Sequence, residues 1–250
     1  MVKMGLIGFP LGHSFSKKYY DLKFEKEEIN NVQYNLYPID QITQFPSLYE
    51  NDESVIGFNV TIPYKQDVIP YLNDLSIEAR DIHAVNCITV KKINGKVILK
   101  GHNTDAYGFY ESIKPLLQEH HTKALVLGNG GAAKAVIYSL KRLGITYKII
   151  SRSKKNGDLT YTEITPEIIK EHKIIINCSP VGTYPKIDES PEIPYEGISS
   201  KHLLYDLVYN PEQTQFLRKG SEKGAITKNG YEMLVLQAEK NWEIWNDIEK

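Results

Sequence analysis

Cysteine is scarce in this 250-residue chain: only Cys87 and Cys178 are present, far apart and in no CxxC or metal-ligand spacing. A disulfide framework and a cysteine-built zinc site are thereby excluded, and reduced thiols in a cytoplasm are the expected state. Charge of one sign is missing too. Lys and Arg number 30 against 31 Asp and Glu, so no basic stripe is available for nucleic acid. No apolar run approaches the ~18 residues of a membrane span, and MVKMGLIGFP is too short for a secretory signal. The histidines (His13, His83, His102, His120, His121, His172 and His202) show no HxxxH or carboxylate spacing, so no metal is expected. His13, in the turn GHS, is expected to orient that turn. Repeats and low-complexity tracts are also lacking. What remains is 41% hydrophobic and 24% charged, the make-up of one large or two small globular domains without a membrane or nucleic-acid partner.

Strand and helix signals alternate. MGLIGF (4 to 9) reads as a strand, SFSKKYYDLKFEKEEI (14 to 29) as a helix, VQYNLYP as a strand, 41 to 50 as a short helix and VIGFNVTI as a third strand. HAVNCITVKKINGKVILKG reads as a hairpin turning at Asn94-Gly95 in a type I′ turn. Helical periodicity resumes at DAYGFYESIKPLLQ. The second half repeats the rhythm with buried strands at 123 to 128, YKIIS, 173 to 178 and 203 to 208, which implies a parallel sheet covered on both faces. The loop SPVGTYPKIDESPEIP is long enough to suggest a role. The last helix carries an apolar stripe of Leu234, Ala238, Trp242, Trp245 and Ile248.

LVLGNGGAAKAV (125 to 136) is a strand, a glycine turn and a helix start. Gly128, Gly130 and Ala133 fit the dinucleotide pattern GxGxx(G/A). The first permits a tight turn, the second a close backbone approach to a pyrophosphate, the third close helix packing. Asn129, Gly131 and Ala132 complete the turn, and the helix start offers N–H groups to phosphate. About 20 positions on, where an NAD site has an acid, stand Ser151, Arg152, Ser153 and Lys154. Arginine and hydroxyls suit a 2′-phosphate, so NADP is the expected cofactor.

GFNVTIPYK (57 to 65) is unusual for the polarity of one face. With period two, Phe58, Val60 and Ile62 point one way and Asn59, Thr61 and Lys65 the other, with Pro63 ending the strand. An amide, a hydroxyl and an amine in a row suit a polyhydroxylated ligand. Ser14 and Ser16 at a helix start, Asn86 in HAVN and Asp105 at a helix entry stand at comparable strand ends, where open α/β sheets bind ligands. Each alone has a structural reading as a cap or turn residue.

GFPLGHSFS, NVTIPYK, AVN, NTDAYG, GNGGAAKA, INCSPVG, YDLVYNP and NGYEMLVLQAE, in this order from residue 5 to about 245, resemble the shikimate dehydrogenase family. The resemblance implies an α/β protein of two domains. An N-terminal α/β substrate domain would hold residues 1 to 104 and 230 to 250. A Rossmann domain with a doubly wound parallel sheet for NADP would hold 105 to 229, with a cleft between them. It implies reversible NADPH-dependent reduction of 3-dehydroshikimate to shikimate, in chorismate and aromatic amino-acid biosynthesis. It further implies that Ser14 and Ser16 hold the substrate carboxylate. Thr61, Lys65, Asn86, Asp105 and Gln237 would hold ring hydroxyls, with Asn59 and Tyr209 beside them and Gly230 on the cofactor side. Lys65 and Asp105 are the expected proton-transfer pair. A lysine is a poor base at neutral pH unless its surroundings make it one, and a nearby carboxylate favours the charged amine. Two departures stand out: His83 replaces the Gly that usually precedes AVN, and Cys87 the Thr that commonly follows it. A dual-specificity quinate/shikimate dehydrogenase and a non-catalytic NADP-binding regulator share the scaffold. Monomer and homodimer are both compatible with the sequence.

Overall fold

Two six-stranded sheets organise the chain in the computed structural model, which describes residues 1–12 and 14–246. His13 and Ile248, each given an expected role above, lie outside the described residues. One unit comprises Met1–Thr104 and the chain from Gln237 on; the other is Asp105–Leu236.

In the first unit, β1 (Val2–Gly8) leads to α1 (Phe15–Lys26), β2 (Val32–Pro38) and β3 (Val55–Val60). Then come β4 (Asp74–Leu75), α2 (Ile77–Ile82) and the pair β5 (Cys87–Ile93) and β6 (Lys96–His102). Ser14 caps α1, its hydroxyl accepting from the Lys17 N–H at 3.2 Å, which satisfies one of the helix's orphan donors. The hairpin turns at Asn94 (φ 51°) and Gly95 (φ 76°), both left-handed as a type I′ turn demands. The sheet order is β2-β1-β3-β5-β6-β4. β1 pairs in parallel with both β2 and β3, so the chain changes direction of travel across the sheet between β1 and β3. β5 runs antiparallel to both β3 and β6, which makes this sheet mixed. Side chains alternate between two cores. Ile7, Phe58, Val60 and Ile88 face one with Phe45, Tyr64 and Val68; Met4, Tyr34 and Cys87 face the other with Tyr20, Phe24 and Trp245.

The expected strand VIGFNVTI is too long at its end. β3 stops at Val60 and residues 62 to 68 turn, leaving Ile62 74% exposed while Phe58 is fully buried. The alternation therefore does not reach Lys65, which sits on a turn rather than on a strand face.

α2 is an element the sequence reading lacks, and the unusual histidine stands at its end. His83 is the C-cap of α2 at φ 55°, ψ 44°, its N–H donating to the Ala79 and Arg80 carbonyls. Glycine is the usual residue in such a left-handed cap because it has no Cβ to clash. A side chain in that region costs about 1–2 kcal/mol, and His83 is exposed. The substitution His83→Gly is expected to stabilise the protein by roughly 0.5–1 kcal/mol, the gain trimmed by glycine's greater unfolded-state entropy. A raised urea midpoint with unchanged slope checks it. An unmoved midpoint would mean that the imidazole contributes a compensating interaction.

The second unit contains α3 (Asp105–Ile113), β7 (Lys123–Leu127), α4 (Gly131–Arg142), β8 (Thr146–Ser151), β9 (Leu159–Thr160) and α5 (Pro166–Glu171). β10 (Ile174–Asn177), β11 (Leu203–Asp206), α6 (Gln215–Ser221) and β12 (Ile226–Lys228) follow. α7 (Tyr231–Trp245) spans the division, with Met233 in a core of this unit and Ala238, Ile244 and Trp245 in one of the first. The sheet is parallel in every pairing and ordered β12-β11-β10-β7-β8-β9. Ala124, Val126, Ile174, Ile176 and Tyr205 face one core; Leu125, Leu127, Ile150, Ile175 and Leu204 face the other. This is the doubly covered parallel sheet expected from the apolar strands. Its switch point lies between β7 and β10, where ligands of such sheets bind. Among the described residues no helix is long and apolar enough to cross a membrane.

Candidate active site

At the C-terminal ends of β1 and β3, the switch point of the first sheet, the structure gathers most of the polar residues singled out above. The Thr61 N–H donates to the Ile7 carbonyl at 3.0 Å and the Phe9 N–H to the Ile62 carbonyl at 3.1 Å, which ties the two strand exits together. The Val60 N–H donates to the Asn86 carbonyl at 2.9 Å and the Val85 N–H to the Lys65 carbonyl at 2.7 Å, so AVN is laced beside the same exit. Ser14, Ser16, Thr61 and Lys65 are all half-buried here.

Asn59 is only 4% exposed, and both ends of its amide are engaged. Its Oδ1 accepts from the Tyr34 hydroxyl at 2.7 Å, and its Nδ2 donates to the Asn86 carbonyl at 3.0 Å. Burial, opposed by a hydrogen bond with the Ser16 hydroxyl, holds the Tyr34 phenol well above its ordinary pKa, so it stays a donor. Ser16, Tyr34, Asn59 and Asn86 thus form one chain of contacts. From Asn86 the network continues. Its Nδ2 donates to Thr104 Oγ1 at 2.9 Å, and its Oδ1 accepts from the Thr104 N–H at 2.7 Å. Thr104 Oγ1 donates to Asn241 Oδ1 at 2.6 Å, and Asn241 Nδ2 donates to Gln237 Oε1 at 3.0 Å. Buried amides partnered in this way have fixed orientations. Asp105 belongs to the second unit, where it is buried as the first residue of α3.

Sequence reading missed Tyr34, Thr104 and Asn241. Thr104 stands inside the motif NTDAYG and was open to recognition. Tyr34 had no local signal, being an aromatic in an ordinary strand.

In the second unit the glycine turn follows β7. Gly128 has φ +112°, and a Cβ there would meet the Cys178 carbonyl group and the Ser179 N at 3.3 Å. Gly130 caps α4, and nothing lies within 4 Å of where its Cβ would stand, so its backbone faces open space. Gly131 and Ala132 start the helix, and Ala133 is fully buried against the sheet. Asn129 Nδ2 donates to the Asn156 carbonyl at 2.6 Å, pinning the turn to the segment beyond β8. Ser151 ends β8, with Arg152 and Ser153 exposed after it. Lys154 pairs with Glu163, which holds that carboxyl down to about 2 with help from Thr160. Arg152 has no hydrogen bond or ion pair among the described residues. Tyr209 is 38% exposed in the loop after β11. The Gly230 N–H donates to the Val208 carbonyl at 3.2 Å, and a Cβ on Gly230 would collide with the Leu207 carbonyl, so the close approach itself demands glycine. Among the described residues no group of three or more His, Cys, Asp or Glu side chains is placed to hold a metal ion.

Residues 6–88 match the family model of the shikimate dehydrogenase substrate binding domain. A shikimate dehydrogenase (NADP(+)) of Caldicellulosiruptor bescii is 36% identical over 266 residues, covering 99% of this chain and 90% of that protein. The crystal structure of shikimate dehydrogenase from Aquifex aeolicus is similar with a TM-score of 0.83 at 33% identity, covering 100% of this chain and 94% of that one. The enzyme from Thermus thermophilus, solved in complex with NADP(H) and shikimate, gives a TM-score of 0.83 at 29% identity and covers 99% and 94%.

Proposed function

The chain belongs to the shikimate dehydrogenase family, and on that footing we propose that it catalyses the reversible NADPH-dependent reduction of 3-dehydroshikimate to shikimate. The observation that carries this reading is the polar cluster at the first sheet's switch point, held in place by buried hydrogen bonds from Tyr34 to Gln237. A ring bearing several hydroxyls needs donors and acceptors of fixed direction. A site built to pair them also rejects analogues lacking them, by factors of order 10⁴.

In this reading Ser14 and Ser16 bind the substrate carboxylate. Thr61, Lys65, Asn86, Asp105, Tyr209 and Gln237 bind the ring oxygens. Asn59, whose amide is engaged on both sides, acts by holding Tyr34 and the Asn86 backbone in register. The second unit suits the cofactor: the open space at Gly130, the helix start behind it and the uncommitted Arg152 fit a pyrophosphate and a 2′-phosphate. Bound NADPH supplies the hydride. Protein groups must then manage the proton. In the reductive direction the Lys65 ammonium gives its proton to the carbonyl oxygen as that oxygen gains charge; in reverse the neutral amine takes it from the shikimate hydroxyl. Asp105 shares that proton inventory.

Turnover of shikimate with NADP, set beside quinate with NADP and shikimate with NAD, tests the reading. The first pair is expected to give the highest kcat/KM. No NADP reduction with shikimate would sink it, and equal turnover of quinate would transfer it to the dual-specificity enzyme.

A further inference from the structure

One buried carboxylate in the second unit has no place in the chemistry just described. Asp206, the last residue of β11, is fully buried, and among the described residues no cation pairs with it. Its Oδ1 accepts from Asn177 Nδ2 at 2.9 Å and from the Val208 N–H at 3.0 Å; its Oδ2 accepts from the Thr214 hydroxyl at 2.6 Å. These three donors belong to three separate pieces of chain: the end of β10, the loop leaving β11 and the cap of α6.

The order extends beyond the carboxylate. Asn177 Nδ2 also donates to the Val181 carbonyl at 3.2 Å, while its Oδ1 accepts from the Ser179 N–H at 3.1 Å and the Ser179 hydroxyl at 2.6 Å. Asn177 therefore shapes the turn Cys178–Ser179, the wall that a Cβ on Gly128 would meet at 3.3 Å. β10 lies beside β7 in the sheet, so this turn and the glycine turn flank the switch point. A buried carboxylate without hydrogen bonds costs much free energy, and here all its partners are loop roots at that one edge.

We propose that Asp206 is a positioning residue for the cofactor site: through Asn177 it sets the Cys178–Ser179 turn against the glycine turn, and through Val208 and Thr214 it fixes the neighbouring loop. Burial pushes its carboxyl up to about 6, with the three donors pulling the other way. An asparagine retains that geometry. Its carbonyl oxygen can accept from Asn177 and Val208, and its NH₂ can donate to the Thr214 oxygen. Alanine takes this acceptor from all three donors and leaves Asn177 Nδ2 only the Val181 carbonyl.

The inference rests on the proposed NADP-dependent reaction, and the test keeps the two apart by measuring NADPH binding without turnover. Fluorescence titration of the full chain with NADPH is combined with steady-state KM values for NADP and shikimate. For Asp206→Ala the NADPH Kd and the KM for NADP are expected to rise ~10-fold or more, as a shifted wall misplaces the ligand, with shikimate KM within ~2-fold. Asp206→Asn is expected to stay within ~3-fold of wild type. Thr214→Val removes one donor only and is expected to weaken NADPH ~3-fold, which covers an alanine variant that fails to fold. NADPH affinity unchanged in Asp206→Ala, or in Thr214→Val where the alanine variant cannot be made, overturns the proposal and leaves Asp206 a stability residue. Asp206→Asn impaired as badly as alanine also overturns it, because charge rather than geometry would then matter. Wild-type protein that binds no NADPH overturns this proposal and the cofactor reading together. Wild type that binds NADPH but fails to oxidise shikimate overturns the reaction alone.

Discussion

Lys65→Met is expected to lower kcat by ~10²-fold or more while the KM for shikimate changes less than ~3-fold. Methionine keeps the length and much of the apolar stem of lysine but has no proton to transfer. The fold should tolerate it. Lys65 stands on a turn whose neighbours on either side, Tyr64 and Val68, are buried in the core, and the Tyr64 hydroxyl donates to the Ile39 carbonyl at 2.8 Å. The main-chain contact of Lys65, its carbonyl accepting from the Val85 N–H, does not involve the side chain. A fall of 10² corresponds to about 2.7 kcal/mol of transition-state stabilisation. An effect of that size, confined to kcat, marks an interaction made mainly in the transition state. A large rise in KM with kcat intact would make Lys65 a binding residue and move the proton elsewhere. An unchanged thermal midpoint would confirm that the loss is chemical.

Features written in adjacent residues were readable from the sequence. Ser14 needed only the N–H of Lys17, three residues away, to be a cap, and Asn94-Gly95 needed only their own left-handed backbone to be a hairpin turn. The glycine turn likewise carries its strand, its turn and its helix in one stretch. Boundaries were harder. Alternation in GFNVTIPYK runs on past Val60, but the backbone turns there, and nothing in the pattern separates a strand's last residue from an extended exit. Elements of two or three residues, β4, β9 and β12, exist because a neighbouring strand offers an edge, and no periodicity can form over so few positions. The supporting network was the least legible. Tyr34 meets Asn59 across 25 residues, and Thr104 meets Asn241 across 137, so each partner looks unremarkable in its own neighbourhood. One signal was available. IIIN and LLYD are apolar strands that end in a single polar residue, and a polar group closing a buried parallel strand must find partners at the ligand edge of the sheet. Asn177 and Asp206 did so with each other.

Arg152→Ala is expected to erase most of the preference for NADP over NAD, a preference of ~10²-fold or more in kcat/KM that resides in the KM for cofactor. The 2′-phosphate carries close to two negative charges, and a guanidinium can pair with it through two charge-assisted hydrogen bonds. Of the three cations after β8, Lys154 is already paired with Glu163, and that pair also cancels a carboxylate that would otherwise repel the phosphate. Arg152, next to the strand end, has no hydrogen bond or ion pair among the described residues, and it alone of the three carries a guanidinium. Each hydrogen bond to a charged group contributes about 1.5–3 kcal/mol. Arg152 is exposed, so water and salt trim this toward the lower end, and the preference should shrink as ionic strength rises. Ser151→Asp supplies the opposite test. Ser151 ends β8 and its hydroxyl accepts weakly from the Ser153 N–H at 3.4 Å, a contact that a carboxylate can keep. The new acid would hold the ribose diol of NAD and repel the phosphate of NADP, so the ratio of the two kcat/KM values should move toward NAD. Wild-type protein that uses both cofactors equally, or an Arg152→Ala variant with the wild-type ratio, would show that the phosphate is read somewhere else.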